Sequence, residues 1–183
     1  MRTHMGALLA AAMLVAVAAV GVAPAGSATT GLACTKLTGS ATWSPPLPNS
    51  NAKAKSSITL QPVLGGCKGT PKITGGVLAV PVIRATAANC ATLIATPAKI
   101  KVPAGASVAW TNGARSTLGA FTLSPAGLLI YSVSVKILGG QFAGKTLTAT
   151  VQFVPVAGGC IVKGILLSKA NLQLKRGTQA TIR

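Results

Sequence analysis

Residues 128–155 read LLIYSVSVKILGGQFAGKTLTATVQFVP, and the fold is argued outward from this stretch. Tyr131, Val133, Val135 and Ile137 alternate with Ser132, Ser134 and Lys136. Leu147, Ala149, Val151 and Phe153 alternate with Thr148, Thr150 and Gln152. Alternation of period two marks strands with one buried and one wet face. Between the two runs lies Gly139-Gly140-Gln141-Phe142-Ala143-Gly144, rich in the residue that tolerates positive φ. The stretch therefore predicts a long antiparallel hairpin, strands 128–138 and 146–155, on or beside which the other strands pack.

After residue 30 the same grammar repeats in shorter pieces. Residues 36–43 place Leu37, Gly39, Ala41 and Trp43 on one face. Residues 57–64 put Ile58 and Leu60 inward, and Pro62 predicts an edge or an early end. Residues 73–83 form a third run, kinked at Gly75-Gly76 and at Pro81. Residues 86–94 have room for a short helical turn. Residues 99–102 point Ile100 and Val102 in and both lysines out. Asn112-Gly113, between 107–111 and 114–123, supplies two positive-φ positions for a type I′ hairpin turn. Residues 161–174 give one or two closing strands, and 175–183 is a basic tail expected to fray. Nine or ten strands with sandwich-like turn spacing predict an all-β domain over 29–174, built as an antiparallel two-sheet sandwich, Ig-like in the broad sense. A partly closed β-barrel is the alternative.

Residues 1–28 have the three parts of a secretory signal peptide. Arg2 and His4 form a basic start, residues 6–23 are small and apolar, and Ala23-Pro24-Ala25 and Gly26-Ser27-Ala28 offer cleavage sites. An uncleaved membrane anchor is the rival reading. The chain has 183 residues with 17 Lys plus Arg, no Asp or Glu, and a single His. That charge points to anionic partners: wall polymers, lipid headgroups or other polyanions. The plainer account is that charge keeps a Val/Ala-rich chain soluble.

The inventory excludes most catalysis. General acid–base work normally uses His, Asp or Glu. With the leader removed none is left, so Ser-His-Asp triads, paired carboxylates and carboxylate metal sites are ruled out by composition. What survives is a Ser-Lys hydrolase, for which Ser50-x-x-Lys53 has the bare spacing but lies in a Pro-flanked loop without partner motifs. The reading is non-enzymatic, with no cofactor. A metal role is equally poor, since no Cys-x-x-Cys occurs. Specific nucleic-acid recognition lacks exposed stacking platforms: Trp43, Trp110 and Phe153 all fall on inward faces.

Four cysteines behind an export signal, Cys34, Cys67, Cys90 and Cys160, imply two disulfides with three possible pairings. One pattern discriminates. Pro62-Val63-Leu64-Gly65-Gly66-Cys67 resembles Pro155-Val156-Ala157-Gly158-Gly159-Cys160, and Cys34-x-x-Leu37 resembles Cys90-x-x-Leu93. Two halves, each opening and closing on a Cys, would pair Cys34–Cys67 and Cys90–Cys160; the competing account is chance in a Gly- and Val-rich chain.

Cys34 with Leu37-Thr38-Gly39, Gly66-Cys67, Cys90-Ala91-Thr92-Leu93, Trp110-Thr111-Asn112-Gly113, Gly140-Gln141-Phe142-Ala143-Gly144 and Cys160 together resemble short secreted β-rich proteins of high-GC actinobacteria. The resemblance implies an exported β domain and brings no known activity, ligand or site. The expected function is a secreted, disulfide-stapled cationic domain held at the envelope by anionic wall polymers or the membrane surface. Its candidate contacts are Lys53, Lys55, Lys99, Lys101, Lys136, Lys175 and Arg176. The alternative is a module that binds a protein partner through a sheet edge or loop.

Overall fold

The computed structural model describes residues 31–48, 54–90, 93, 99–156, 160 and 166–183, and only the backbone of 85–88. Both the leader and the Ser50/Lys53 loop lie outside the described residues. Among the described residues twelve strands form one antiparallel sheet: β1 (Leu32–Leu47), β2 (Ala54–Gly69), β3 (Gly75–Ala79), β4 (Ile83–Ala88), β5 (Ile100–Val102), β6 (Ser107–Trp110), β7 (Arg115–Leu118), β8 (Phe121–Gly127), β9 (Ile130–Gly140), β10 (Thr146–Pro155), β11 (Leu167–Leu174) and β12 (Ala180–Ile182). The central hairpin falls where its alternation put it, with Leu147 opposite Val135 and Val151 opposite Tyr131.

Four pairs of strands are each one run broken in the middle. β3 and β4 both pair with β2, β7 and β8 both pair with β9, and β11 and β12 both pair with β1 and β10. β5 and β6 likewise lie against β8 and β7 in nearly one register. Eight runs thus follow one another up and down, each paired with the next in sequence. The last, β11/β12, pairs back onto β1, so the ladder closes into a ring. Two separate sheets, as expected for a sandwich, are not what these pairings describe. The strand count rises from nine or ten to twelve because the runs 73–83 and 114–123 are broken at Pro81 and Gly119, and because β12 forms inside the stretch expected to fray.

Pro62 explains one interruption. It neither ends β2 nor puts it at an edge: β2 pairs with β1 on one side and with β3 and β4 on the other. The β2–β3 ladder runs over Gly65, Leu64 and Val63 and stops at Pro62, which has no N–H to give. Pro81 then separates β3 from β4. Gly75-Gly76, expected to kink the run, lies inside β3 instead. A Cβ on Gly76 would meet Trp110 Cε3 at 2.7 Å, so the bare backbone is what lets the indole lie against it.

Two other expectations change. The Asn112-Gly113 hairpin forms, but only Gly113 has positive φ (84°). The Gly113 amide donates to the Trp110 carbonyl at 3.0 Å and the Trp110 amide donates to Ala114 at 2.9 Å, a three-residue loop closed by a left-handed glycine. Residues 175–183 do not fray. Ala180 and Ile182 are buried, and β12 closes the ring against β1 and β10. In 86–94 the backbone is strand to Ala88; one helical hydrogen bond follows, from the Leu93 amide to the Asn89 carbonyl at 3.2 Å.

Both disulfides form as the half-repeat pairing expects: Cys34–Cys67 and Cys90–Cys160. Their settings differ. Cys34 lies directly opposite Cys67 in the β1–β2 ladder. Cys90 and Cys160 follow β4 and β10, whose ends are on opposite sides of the ring. The two similar hexapeptides are therefore not structurally equivalent: Pro62 is mid-strand, whereas Pro155 ends β10.

Candidate functional site

The ring has a lower end, carrying the turns at 70–74, 111–114 and 141–145, and an upper end, carrying the connections after β1, β4, β8 and β10. The lower half is closed by ladders all round: β2–β3, β3–β6, β6–β7 and β7–β9 continue to β10, β12 and β1. In the upper half, among the described residues, β4 pairs only with β2 and β5 only with β8. Among the described residues no ladder joins β4 to β5, although the two come near each other. The ring is split there from the breaks at 80–82 and 103–106 upward.

Inward side chains fill the ring. Trp43 packs on Phe153 at a centroid distance of 6.1 Å, and Tyr131 packs edge-on to Phe153 at 5.4 Å. At the lower end Trp110 meets Phe142 edge-on at 5.5 Å. The Trp110 indole N–H donates to Ser116 Oγ at 2.8 Å, and Ser116 in turn donates to the Gln141 carbonyl. Ser56 Oγ donates to the Pro45 carbonyl at 2.8 Å. Buried polar groups are thus paired, as an interior without water requires. Among the described residues Tyr131 is the exception: its hydroxyl is fully buried and has no hydrogen-bond partner there. Desolvation pushes its pKa from 10.0 up to about 12. The sequence signal for this group is plain in retrospect, a lone tyrosine among aliphatic residues on an inward face.

Between these packed ends lies a cavity of about 70 Å³. It is lined only by Leu, Val, Phe, Ala and Pro side chains, drawn from nine of the twelve strands. On β10 it touches Leu147, Ala149, Val151 and Phe153 in succession, which at roughly 3.3 Å per residue is a length of about 20 Å. It is a narrow apolar slot along the strands. Five of its inward-facing lining residues, Leu78, Val80, Phe121, Val133 and Ala149, keep accessible surface. Leaving such a volume empty costs roughly 2 kcal/mol in a protein core. Eight strands make an interior that side chains just fill or that holds one small ligand.

The basic candidates are placed differently. Lys55 projects from β2, Lys99 and Lys101 from the start of β5, Lys136 from β9, and Lys175 and Arg176 from the turn between β11 and β12; all are exposed. Lys53 lies outside the described residues. These strands alternate around the ring, so the candidates come together only in pairs, Lys99 with Lys101 and Lys175 with Arg176. Arg84, which the sequence reading did not single out, stands exposed on β4 across the split from them. Lys36, Lys68, Lys72, Arg115 and Arg183 form a further exposed group toward the lower end.

No family model, no curated protein and no solved structure matches the chain. Two disulfides fit an oxidising compartment. Among the described residues no helix is long and apolar enough to cross a membrane.

Proposed function

We propose that this chain is an exported, non-enzymatic cationic β domain, retained at the cell envelope by anionic wall polymers or lipid headgroups. We take its ring as a partly closed barrel, split between β4 and β5. One observation carries the functional reading. Of the described Lys and Arg side chains all but Lys145 are exposed, and the chain has no Asp or Glu to neutralise them. They are distributed around the ring and toward both ends, so attraction to an extended polyanion needs no single docking face. Contacts of that kind are long-ranged and salt-sensitive, because exposed charges are screened within about 8 Å at physiological ionic strength. Isolated cell walls loaded with the protein should release it only as salt is raised well above that of a neutral control of similar size. Co-elution with the control at low salt would remove the reading.

A second reading is favoured by the split itself. Among the described residues β4 and β5 each have one side without a ladder, and an unpaired strand side is what a protein partner adds to. A pull-down that resists high salt would favour it over the polyanion reading.

A further inference from the structure

We infer that the cavity and the β4/β5 split together form a binding site for a single-chain anionic amphiphile, a long-chain carboxylate. The chain lies in the apolar slot and the carboxylate sits on Arg84, Lys99 and Lys101. Three independent features meet here. The first is chemical: the wall offers a ligand nothing but aliphatic and aromatic carbon. A polar molecule entering it would lose its water without compensation. The second is shape: the lining follows β10 for about 20 Å, which suits an extended chain better than a ring system, and the void of about 70 Å³ has to widen as the chain enters.

The third is the position of charge relative to the opening. Val80, a cavity-lining residue, is the last before Pro81, where β3 gives way to β4. Phe121 and Leu123, also lining it, stand opposite Val102 and Ile100 of β5. The apolar slot thus comes up beside the split, to Val80 below β4 and to β8 beside β5, while Ile83 and Val102 on the inner side of the flanks are themselves buried and are not part of its lining. Immediately outside, Arg84 projects from one flank and Lys99 and Lys101 from the other. A guanidinium accepts a carboxylate through paired N–H donors, and two ammonium groups complete the charge. No acidic side chain exists in the molecule to occupy these cations instead. The site is independent of envelope retention: it needs one face and one ligand, where polyanion attraction needs neither.

The test is calorimetric titration of the purified protein with sodium dodecanoate below its micellar concentration, beside dodecan-1-ol, dodecyltrimethylammonium and acetate. Dodecanoate should bind one to one, about tenfold tighter than dodecanol, with the cationic chain weaker still and acetate not saturating. Shortening the carboxylate should weaken binding by about fourfold per methylene. Arg84→Gln with Lys99→Gln and Lys101→Gln changes only exposed side chains. It should bring dodecanoate down to dodecanol without altering dodecanol binding. Ala149→Phe should block every chain by filling the slot. Many weak equivalent sites, affinity independent of chain length, or a triple variant that binds dodecanoate unchanged would each overturn the assignment. Excess polyglutamate separates the two proposals, since it competes with wall retention and leaves chain-length-dependent binding in place.

Discussion

The two ends of the ring solve the same closure problem differently. At the lower end the ladder is continuous, and Cys34–Cys67 joins residues that the β1–β2 pairing already holds opposite each other. At the upper end the ladder fails between β4 and β5, and Cys90–Cys160 joins segments following strands on opposite sides of the ring. One bridge reinforces a ladder; the other links segments that no ladder among the described residues joins. The contrast lies in reach: one tie duplicates a ladder, and the other crosses the upper end from the segment after β4 to the segment after β10. Below the split, the interior is sealed by Trp110, Phe142 and the Ser116 hydrogen bonds. Beside it, the inward residues Val80 and Phe121 keep accessible surface.

The largest expected effect breaks or supports this contrast directly. The bridges close loops with sequence separations of 70 and 33 residues. Chain entropy alone assigns them about 4.4 and about 3.7 kcal/mol, a difference of only about 0.7 kcal/mol. If the upper bridge replaces a ladder, Cys90→Ala with Cys160→Ala should cost at least about 1 kcal/mol more than Cys34→Ala with Cys67→Ala. Guanidinium unfolding of the two double variants measures it. Equal losses, or a larger loss at the lower end, would show that the two ties do the same work.

Tyr131 supplies the next largest effect, in the upper half of the packed interior. Its folded pKa lies near 12 because burial disfavours the phenolate, against 10.0 in the open chain. A raised folded pKa gives stability that is fully present below pH 10 and is lost as pH rises toward 12. The loss amounts to about 2–3 kcal/mol for a shift of this size. Tyr131→Phe should remove that loss. Its orphan hydroxyl has no hydrogen bond to lose, so at neutral pH the variant should be more stable by about 1 kcal/mol. Comparing urea midpoints of the two proteins across pH 9–12 cancels every group they share. Parallel alkaline curves would mean that the hydroxyl finds water.

Tightness can be probed by the smallest added group. A methyl at Gly76 would stand 2.7 Å from Trp110 Cε3 and 2.9 Å from Val108 Cγ1. Gly76→Ala should therefore destabilise by about 1–3 kcal/mol through overpacking. Gly119, at the β7/β8 break level with the start of the split, has its nearest neighbour at 3.5 Å and no positive φ. Gly119→Ala should be neutral or stabilise by up to about 1 kcal/mol. Thermal melts of both variants decide whether packing slackens along the ring axis as the ladders do.

How much of this the sequence disclosed follows from which forces are local. The central hairpin was legible because both its strands alternate for ten residues and its turn is glycine-rich. The Asn112-Gly113 hairpin was legible in place but not in type. Thr111 joins the loop because its hydroxyl accepts hydrogen bonds from the Thr74 and Gly75 amides, a contact across 37 and 36 residues. Ring closure was legible only through the alternative to the sandwich. It depends on β11 and β12 both pairing with β1 at the other end of the described chain, and β12 lies inside a stretch whose basic composition reads as a tail. The cavity was equally hidden, since Leu147 or Val151 looks the same in sequence whether it meets a neighbour or a void. Arg84 escaped notice because only the β4/β5 split gives it Lys99 and Lys101 for company.

The smallest effect expected is an absence of change, and it tests both ends at once. Acid unfolding in most proteins comes from protonating carboxylates that the native state pairs, and from charging buried histidines. This chain has no Asp or Glu, and its only His is His4. Its cysteines are in disulfides and do not titrate. Apart from a terminal carboxyl, no side chain from the first described strand onward changes its charge between about pH 2 and pH 8, so neither the closed end nor the split end has a group through which acid acts. The guanidinium midpoint should therefore stay flat across that range at constant ionic strength. A steep fall below about pH 4 would mean that folded stability depends on an anion the sequence does not supply. A bound carboxylate in the β4/β5 site is the candidate, and extracting the protein with solvent before the titration should then abolish the fall.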